Sequence, residues 1–140
     1  MCEGVGIDDL SDRSRILIVD HCRHCSTTLS HLVRLLECEA RIAHNGAEAV
    51  EASTEFRPDL VIIEIGLLGQ DGYEVARNIR DQPWSTDIRM IAVTGAGRTL
   101  DEGRLRGVGF DHHLTKPIDV EALLSIIGRP RPQSGQPPDS

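Results

Sequence analysis

Five polar or charged side chains come directly after short runs that have the composition of β-strands. They are Asp20 and His21, Glu64, Thr94, and Lys116. Because functional groups gather beyond the carboxyl ends of parallel strands, we expect these residues to share one edge of a sheet. The pattern therefore predicts one site that brings together a carboxylate pair, a hydroxyl and an ammonium.

A second group of reactive side chains is the sequence HCRHC, which begins at His21. It places Cys22 and Cys25 in a C-x-x-C arrangement at the start of a predicted helix, where the helix dipole lowers thiol pKa values. Imidazole and thiolate ligands also suit Zn²⁺ better than Mg²⁺. A structural zinc site usually needs a second ligand pair, and the sequence has no second cysteine pair, although His112 and His113 are candidates for further ligands. We keep a thiol-redox or metal-binding role as an alternative.

Hydrophobic periodicity predicts the elements that must position these groups. Short apolar, β-branched runs typical of fully buried strands are residues 16–19, 60–63 and 90–93, with weaker candidates at 40–43 and 112–115. Helical spacing of apolar residues occurs at 29–36, 75–79 and 120–127, and Asn45 with Glu48 resembles a capping pair before a helix that ends near Phe56. Asp119 is a candidate cap of the last helix. The poorest predicted helix is Leu100–Arg106, with Gly103 inside it and Gly107 after it.

Five strands that alternate with five helices predict an α/β fold, a parallel sheet covered by helices on both faces. We expect a loose leader at residues 1–14, one domain at residues 15–128, and a disordered Pro/Gln/Ser-rich tail at residues 129–140.

Composition narrows the functional class. The chain has 140 residues, of which 39% are hydrophobic and 26% charged, as in a globular domain. Its net charge of −7 argues against nucleic-acid binding. No apolar run approaches the length of about 20 residues that a membrane span needs. We therefore expect a cytoplasmic protein whose four cysteines are thiols.

The sequence blocks ILIVDH, LVIIEIGLLGQDGYEVAR, IAVTG and GFDHHLTKPID resemble, in order and spacing, those of bacterial response-regulator receiver domains. The resemblance runs from about Arg15 to Gly128, and it is nearest to the receivers attached to hybrid sensor kinases. It implies a flavodoxin-like fold with a five-stranded parallel sheet and five helices. It also implies a two-component or phosphorelay function, in which an aspartate accepts a phosphoryl group from a phosphohistidine.

The resemblance assigns roles to individual residues. It implies that Asp20, the residue at position 64 and a backbone carbonyl near Gly66 bind Mg²⁺, and that Thr94 and Lys116 bind the phosphoryl oxygens. A divalent cation and an ammonium neutralise the charge that spreads over these oxygens during transfer.

Several positions depart from the family pattern. Glu64 stands at the phosphoacceptor aspartate, His21 stands at the second acidic position, and Leu68 replaces a usual proline. His113 lies at the family's aromatic switch position. Mg²⁺ prefers oxygen ligands, so we expect it to bind weakly, and no cofactor to be required.

We therefore expect a degenerate, non-enzymatic receiver that acts through contacts with a histidine kinase, a phosphotransfer protein or a downstream signalling protein. We expect no nucleic-acid or membrane partner. The first alternative is a working phosphoreceiver that uses Glu64 or another acid. The second is a thiol-redox or metal-binding module that uses Cys22 and Cys25.

Overall fold

The computed structural model describes residues 14–66, 72–95 and 102–127. Across these ranges five strands alternate with five α-helices. The strands are β1 (Arg15–Val19), β2 (Glu39–Ala43), β3 (Leu60–Glu64), β4 (Arg89–Thr94) and β5 (His112–Thr115). The helices are α1 (Arg23–Leu35), α2 (Gly46–Phe56), α3 (Gly72–Arg80), α4 (Glu102–Val108) and α5 (Val120–Ile127), with a 3₁₀ turn at Pro83–Ser85.

The predicted tail, Leu68, and all but the last residue of the predicted leader lie outside the described residues. Among the helices that the structure describes, none combines the length and the apolar composition that crossing a membrane requires.

The five strands form one parallel sheet in the order β2-β1-β3-β4-β5. From β1 the chain goes to β2 on one side of the sheet and then returns to place β3 on the other side of β1. The direction of winding therefore reverses between the neighbouring strands β1 and β3. Their register pairs Val19 with Ile63. The residues that follow this pair, Asp20 and Glu64, therefore leave the sheet side by side. Ligand sites of doubly wound sheets are found at this topological position.

The sheet separates two apolar layers, which explains the uninterrupted apolar runs of the central strands. Helices α1 and α5 cover one face, where Leu29, Val33 and Leu123 pack against Ile18 and Ile62. Helices α2, α3 and α4 cover the opposite face. Alternate residues of β1, β3 and β4 point into opposite layers, and most are less than 3% exposed. The predicted sheet with helices on both faces is confirmed.

The predicted helix caps are present. The Glu48 backbone N–H donates to Asn45 Oδ1 at 2.9 Å, and the Glu121 N–H donates to Asp119 Oδ1 at 3.0 Å. Each carboxylate or amide oxygen satisfies one of the backbone donors that a helix N-terminus leaves without a partner in the helix.

The end of α4 was predicted wrongly. Gly107 was expected to follow the helix, but the helix continues through it to Val108. Gly109 ends the helix, because its φ of 98° gives the left-handed conformation that glycine adopts without strain. The Phe110 N–H then donates to the Leu105 carbonyl at 3.0 Å. The start of the predicted segment lies outside the described residues.

Two neighbouring leucines of α5 provide a test of this packing. Leu123 is 0% exposed and Leu124 is 38% exposed. We expect Leu123→Ala to lower the free energy of unfolding by about 2–5 kcal/mol, because it removes buried methyl groups and leaves a cavity. Leu124→Ala should cost less than about 1 kcal/mol, since a partly exposed leucine loses less buried area. Urea denaturation measures both, and equal losses would contradict the assigned orientation of α5.

Candidate functional site

The backbone of the sheet fixes the positions of the predicted site residues. The strand ladders continue one residue beyond the strand ends, where the Asp20 N–H donates to the Ala43 carbonyl at 3.0 Å. On the far side of the sheet, the Lys116 N–H donates to the Thr94 carbonyl at 2.8 Å. The side chains of both residues therefore project from rigid backbone, and the Lys116–Pro117 peptide bond between the site and α5 is cis.

Gly72 brings helix α3 against the backbone that carries Glu64. A Cβ atom at residue 72 would lie 2.7 Å from the Glu64 carbonyl oxygen and 2.7 Å from Ile65 Cα. Backbone atoms cannot move aside as the end of a long side chain can, so this approach requires glycine. The Gly72 N–H also donates to the Ile65 carbonyl at 3.1 Å. Helix α3 thus supports the turn that follows the acidic residue.

The Lys116 ammonium lies between the two carboxylates. Its Nζ is 3.1 Å from Asp20 Oδ2 and 3.2 Å from Glu64 Oε2. The side chains of Asp20 and Glu64 are only 8% and 12% exposed, so water screens their charges weakly. The ammonium neutralises part of the negative charge that the sheet edge concentrates at this point.

These contacts change the acidity of both partners. Burial disfavours ionisation of Asp20, but interactions with Glu64, the Cys22 N–H and Lys116 outweigh it and lower the pKa of Asp20. Burial likewise disfavours the ammonium, yet the hydrogen bonds and charges of Asp20 and Glu64 raise the pKa of Lys116. The ionised forms of the two residues therefore stabilise each other.

The second oxygen of the Glu64 carboxylate contacts His21. Glu64 Oε1 lies 2.7 Å from His21 Nδ1, and the His21 backbone N–H donates to the same oxygen at 3.4 Å. Each Glu64 oxygen thus has its own side-chain partner, Lys116 on one side and His21 on the other. This arrangement holds the carboxylate in one orientation.

One atom each of Asp20, His21 and Glu64 lies within 4.8 Å of the others, so the three side chains could surround a metal ion. The donor set fits Mg²⁺ poorly. Mg²⁺ takes hard oxygen ligands in octahedral geometry, whereas one of these three ligands is an imidazole. All four carboxylate oxygens also have partners, since Asp20 Oδ1 accepts from the Cys22 N–H at 2.9 Å. The expected contribution of the Gly66 carbonyl stays a prediction.

Thr94 contacts His113, the residue at the predicted switch position, through its side chain. Its side chain is almost completely buried, and Oγ1 lies 3.2 Å from Nε2 of His113 on the adjacent strand β5. His113 itself is exposed. The buried Thr94 hydroxyl is therefore linked to the protein surface through His113. A backbone hydrogen bond also links Thr94 to Lys116.

Cys22 and Cys25 lie beside the acidic cluster at the start of α1. Cys22 is the N-cap of the helix, and its Sγ accepts a hydrogen bond from the Cys25 N–H at 3.2 Å. The two Sγ atoms are 2.9 Å apart, and both residues are free, half-buried thiols. The hydrogen bonds from Cys25 lower the pKa of Cys22, whereas the contact with Cys22 and burial raise the pKa of Cys25.

The family model for the response regulator receiver domain matches residues 16–128. This chain belongs to that family. The receiver domain is 31% identical over 117 residues to protein PilH of Pseudomonas aeruginosa, an alignment that covers 81% of this chain and 94% of PilH. It is 29% identical to the DNA-binding transcriptional regulator RpaA of Synechocystis, where the alignment covers 81% of this chain but only 47% of that longer protein.

Solved structures show the same fold. The chemotaxis protein CheY4 of Vibrio cholerae superimposes with a TM-score of 0.77 at 21% identity, covering 83% of the receiver domain and 97% of that chain. The receiver domain of Ssk1 from Saccharomyces cerevisiae gives a TM-score of 0.72 at 25% identity, with coverage of 82% and 86%. That receiver was crystallised with the histidine phosphotransfer protein Ypd1. The flavodoxin-like fold and the role as a receiver domain of two-component signalling are confirmed.

Sequence reasoning missed two of the side-chain pairings at the site. It placed Asp20, His21, Glu64 and Lys116 at one edge, but it did not foresee that His21 would contact Glu64 rather than the cysteine pair. It also missed the Thr94–His113 contact. The parallel pairing of β4 with β5 was a usable signal, because it brings side chains of these two strands close together.

The pKa shift of Asp20 predicts how stability depends on pH. Its pKa is lower in the folded than in the unfolded protein, so ionised Asp20 stabilises the fold above the ordinary value of about 3.9. That contribution is lost as the pH falls through the lower folded-state pKa. We expect Asp20→Asn to reduce the free energy of unfolding by about 1–3 kcal/mol at neutral pH, with the difference shrinking below about pH 4.

Urea denaturation of both proteins between neutral and acidic pH measures this difference. Glu55→Gln is the control, because Glu55 is 60% exposed in its ion pair with Arg41 and should contribute less than about 1 kcal/mol. An Asp20→Asn protein as stable as wild type at neutral pH would contradict the stabilising role of Asp20.

Proposed function

We propose that this receiver domain transmits signals through protein–protein contacts without forming a stable acyl phosphate on Glu64. The contact between Lys116 Nζ and Glu64 Oε2, at 3.2 Å, is the observation that carries the proposal. In the family, this lysine is the cation that binds the phosphoryl oxygens. Here the carboxylate at the acceptor position already pairs with it.

Geometry is the first argument against efficient phosphorylation. Glutamate is one methylene longer than the aspartate of the family pattern, which displaces the carboxylate by about 1 Å or more. A displacement of about 1 Å can slow an in-line reaction by about a hundredfold. The attacking oxygen must also be released from a partner, because Oε1 contacts His21 and Oε2 contacts Lys116.

Electrostatics is the second argument. Phosphoryl transfer needs a cation near the oxygens on which charge accumulates, and the family supplies it as Mg²⁺ held by acidic side chains. His21 replaces one of those acids, and the remaining carboxylates are engaged by Lys116. Weak Mg²⁺ binding is therefore part of the proposal.

Receiver domains respond to phosphorylation by shifting a two-state equilibrium of the surface formed by α4, β5 and α5. We infer that the Glu64–Lys116 ion pair sets this equilibrium here without a kinase. The path from the site to that surface is short, because Lys116 follows β5 directly and Thr94 contacts His113 on the same strand.

The partners that this proposal implies are proteins. Receiver domains interact with kinases or phosphotransfer proteins, and the complex of the Ssk1 receiver with Ypd1 is an example. We propose a histidine kinase, a phosphotransfer protein or a downstream signalling protein as the partner, with no enzymatic activity in this domain. The net charge of −7 supports a protein without nucleic-acid partners, and we propose a cytoplasmic location without membrane partners.

We expect Mg²⁺ to bind with millimolar or weaker affinity, because the site offers few oxygen ligands that lack a partner. NMR titration of the wild-type protein measures the affinity. His21→Asp should tighten binding, since it restores an oxygen ligand and frees Glu64 Oε1 from the imidazole. His24→Asp is the matched control, a histidine three residues away whose change should leave the affinity unaltered. Micromolar Mg²⁺ binding by the wild-type site would show the fit argument to be wrong.

We expect no stable phosphorylation of the wild-type protein after incubation with a small phosphodonor and Mg²⁺. Glu64→Asp combined with His21→Asp should restore labelling, and each single change should restore less, because both residues serve one metal and one reaction. Intact mass spectrometry with peptide mapping detects the phosphate.

Glu64→Asn combined with His21→Asp controls for labelling at other acids and should stay unlabelled. Substantial phosphate on Glu64 of the wild-type protein would overturn the proposal and favour a working phosphoreceiver.

A further inference from the structure

We propose that Cys22 and Cys25 form a thiol–disulfide redox site that exchanges electrons with a low-molecular-weight disulfide such as glutathione disulfide. The inference does not depend on how Glu64 behaves toward phosphate. It is carried by the contact of the two thiols, whose Sγ atoms are 2.9 Å apart within one turn of α1.

The position of the pair distinguishes the two sulfurs. Cys22 is the N-cap with extended backbone, φ −84° and ψ 112°, and its sulfur accepts the Cys25 N–H at 3.2 Å. A backbone donor and the positive end of the 13-residue helix α1 both stabilise negative charge on that sulfur. Cys22 is therefore the attacking thiol, and Cys25 is the resolving thiol.

The geometry favours redox chemistry over a zinc site. Structural Zn²⁺ takes four ligands, and the two thiolates supply only two. In the ranges 14–66, 72–95 and 102–127, the group of side chains close enough to share a metal is Asp20 with His21 and Glu64, and it contains neither cysteine. Of the two histidines next to the pair in sequence, His21 contacts Glu64, and His24 is not in that group of side chains.

The reaction balances with the disulfide as oxidant. The Cys22 thiol gives its proton to water, and the thiolate attacks one sulfur of the glutathione disulfide and releases one glutathione thiolate. The Cys25 thiolate, formed by loss of its proton, then attacks the Cys22 sulfur of the mixed disulfide and releases the second glutathione thiolate. Each released thiolate takes up one proton. Two protein thiols are oxidised to one disulfide, and one small disulfide is reduced to two thiols.

The backbone of Cys22 links the cysteine pair to the carboxylates of the receiver site. The Cys22 backbone N–H donates to Asp20 Oδ1 at 2.9 Å, and Asp20 Oδ2 binds Lys116. A disulfide replaces the 2.9 Å contact of the two sulfur atoms by a bond of about 2.0 Å, which changes the geometry of the residue that carries this N–H. We therefore expect the redox state of the pair to alter the surroundings of Asp20.

The experiment equilibrates the wild-type chain with mixtures of reduced and oxidised glutathione, quenches with acid, and alkylates the remaining thiols after denaturation. We expect peptide mapping to link Cys22 with Cys25, with the loss of two hydrogens from these two peptides, while Cys38, which is buried, stays alkylatable. Adducts on the fourth cysteine, Cys2, are scored separately. Cys25→Ser should stop at one glutathione on Cys22, and Cys22→Ser should form no intramolecular disulfide. Cys38→Ser is the matched control and should behave as wild type.

NMR of the Asp20 carboxyl carbon provides the second readout. Its resonance should shift on oxidation of the wild-type protein and of Cys38→Ser, but not when Cys22→Ser is given the same treatment. Glutathione adducts without the internal disulfide, or a disulfide that joins other cysteines, would overturn the proposal. So would one tightly bound Zn²⁺, added alone, that is lost in both Cys22→Ser and Cys25→Ser. A Cys22–Cys25 disulfide that leaves the Asp20 resonance unchanged would overturn the coupling to the receiver site.

Discussion

The site depends on one ammonium shared by two carboxylates. Burying Asp20 and Glu64 side by side is unfavourable unless a cation offsets their charge, because desolvation and mutual repulsion both oppose the ionised pair. Lys116 supplies that cation at 3.1 and 3.2 Å. The parallel register brings the two acids side by side at the ends of β1 and β3, and the Lys116 side chain reaches them from the end of β5, beyond β4. At the carboxyl ends of the strands, the charges of Asp20 and Glu64 thus require a neighbouring cation. The apolar layers stabilise the sheet that positions these side chains.

The length of the Glu64 side chain determines which group Lys116 binds. An aspartate at residue 64 would end nearer to the strand, which would leave space for a phosphoryl group between the carboxylate and the lysine. Glu64 extends into that space and binds Lys116 directly. On the proposal above, a carboxylate oxygen of Glu64 thus takes the place beside the lysine that a phosphoryl oxygen takes transiently in other receivers. His21 contributes to this arrangement, because its imidazole binds Glu64 Oε1 where a second acid would repel the carboxylate.

The sequence was sufficient for the parts of the structure that follow from periodicity and strand-end chemistry. The apolar runs located β1, β3 and β4, and the strand ends located Asp20, Glu64 and Lys116. The side-chain partners of His21 and Thr94 were not predicted, because periodicity places a residue on a face or at an edge but does not choose its rotamer or partner. The contact of His21 with Glu64 rather than with the cysteines is such a case.

The predicted end of α4 was wrong for a related reason. Only Gly107 was predicted to stop the helix, but the helix runs to Val108 and ends at Gly109, whose backbone is left-handed.

The loop between β1 and α1 joins the two reactive parts of the molecule. Cys22 donates its N–H to Asp20 and accepts the Cys25 N–H on its sulfur, so one residue belongs to the acidic cluster and to the dithiol at once. Coupling between two such equilibria is reciprocal. If forming the disulfide changes the hydrogen bond to Asp20, then changing the charge on Asp20 must change the disulfide equilibrium by the same free energy. The acidic cluster therefore does more than accept an input from the loop. Under the proposed coupling, its charge also sets how readily the neighbouring thiols are oxidised.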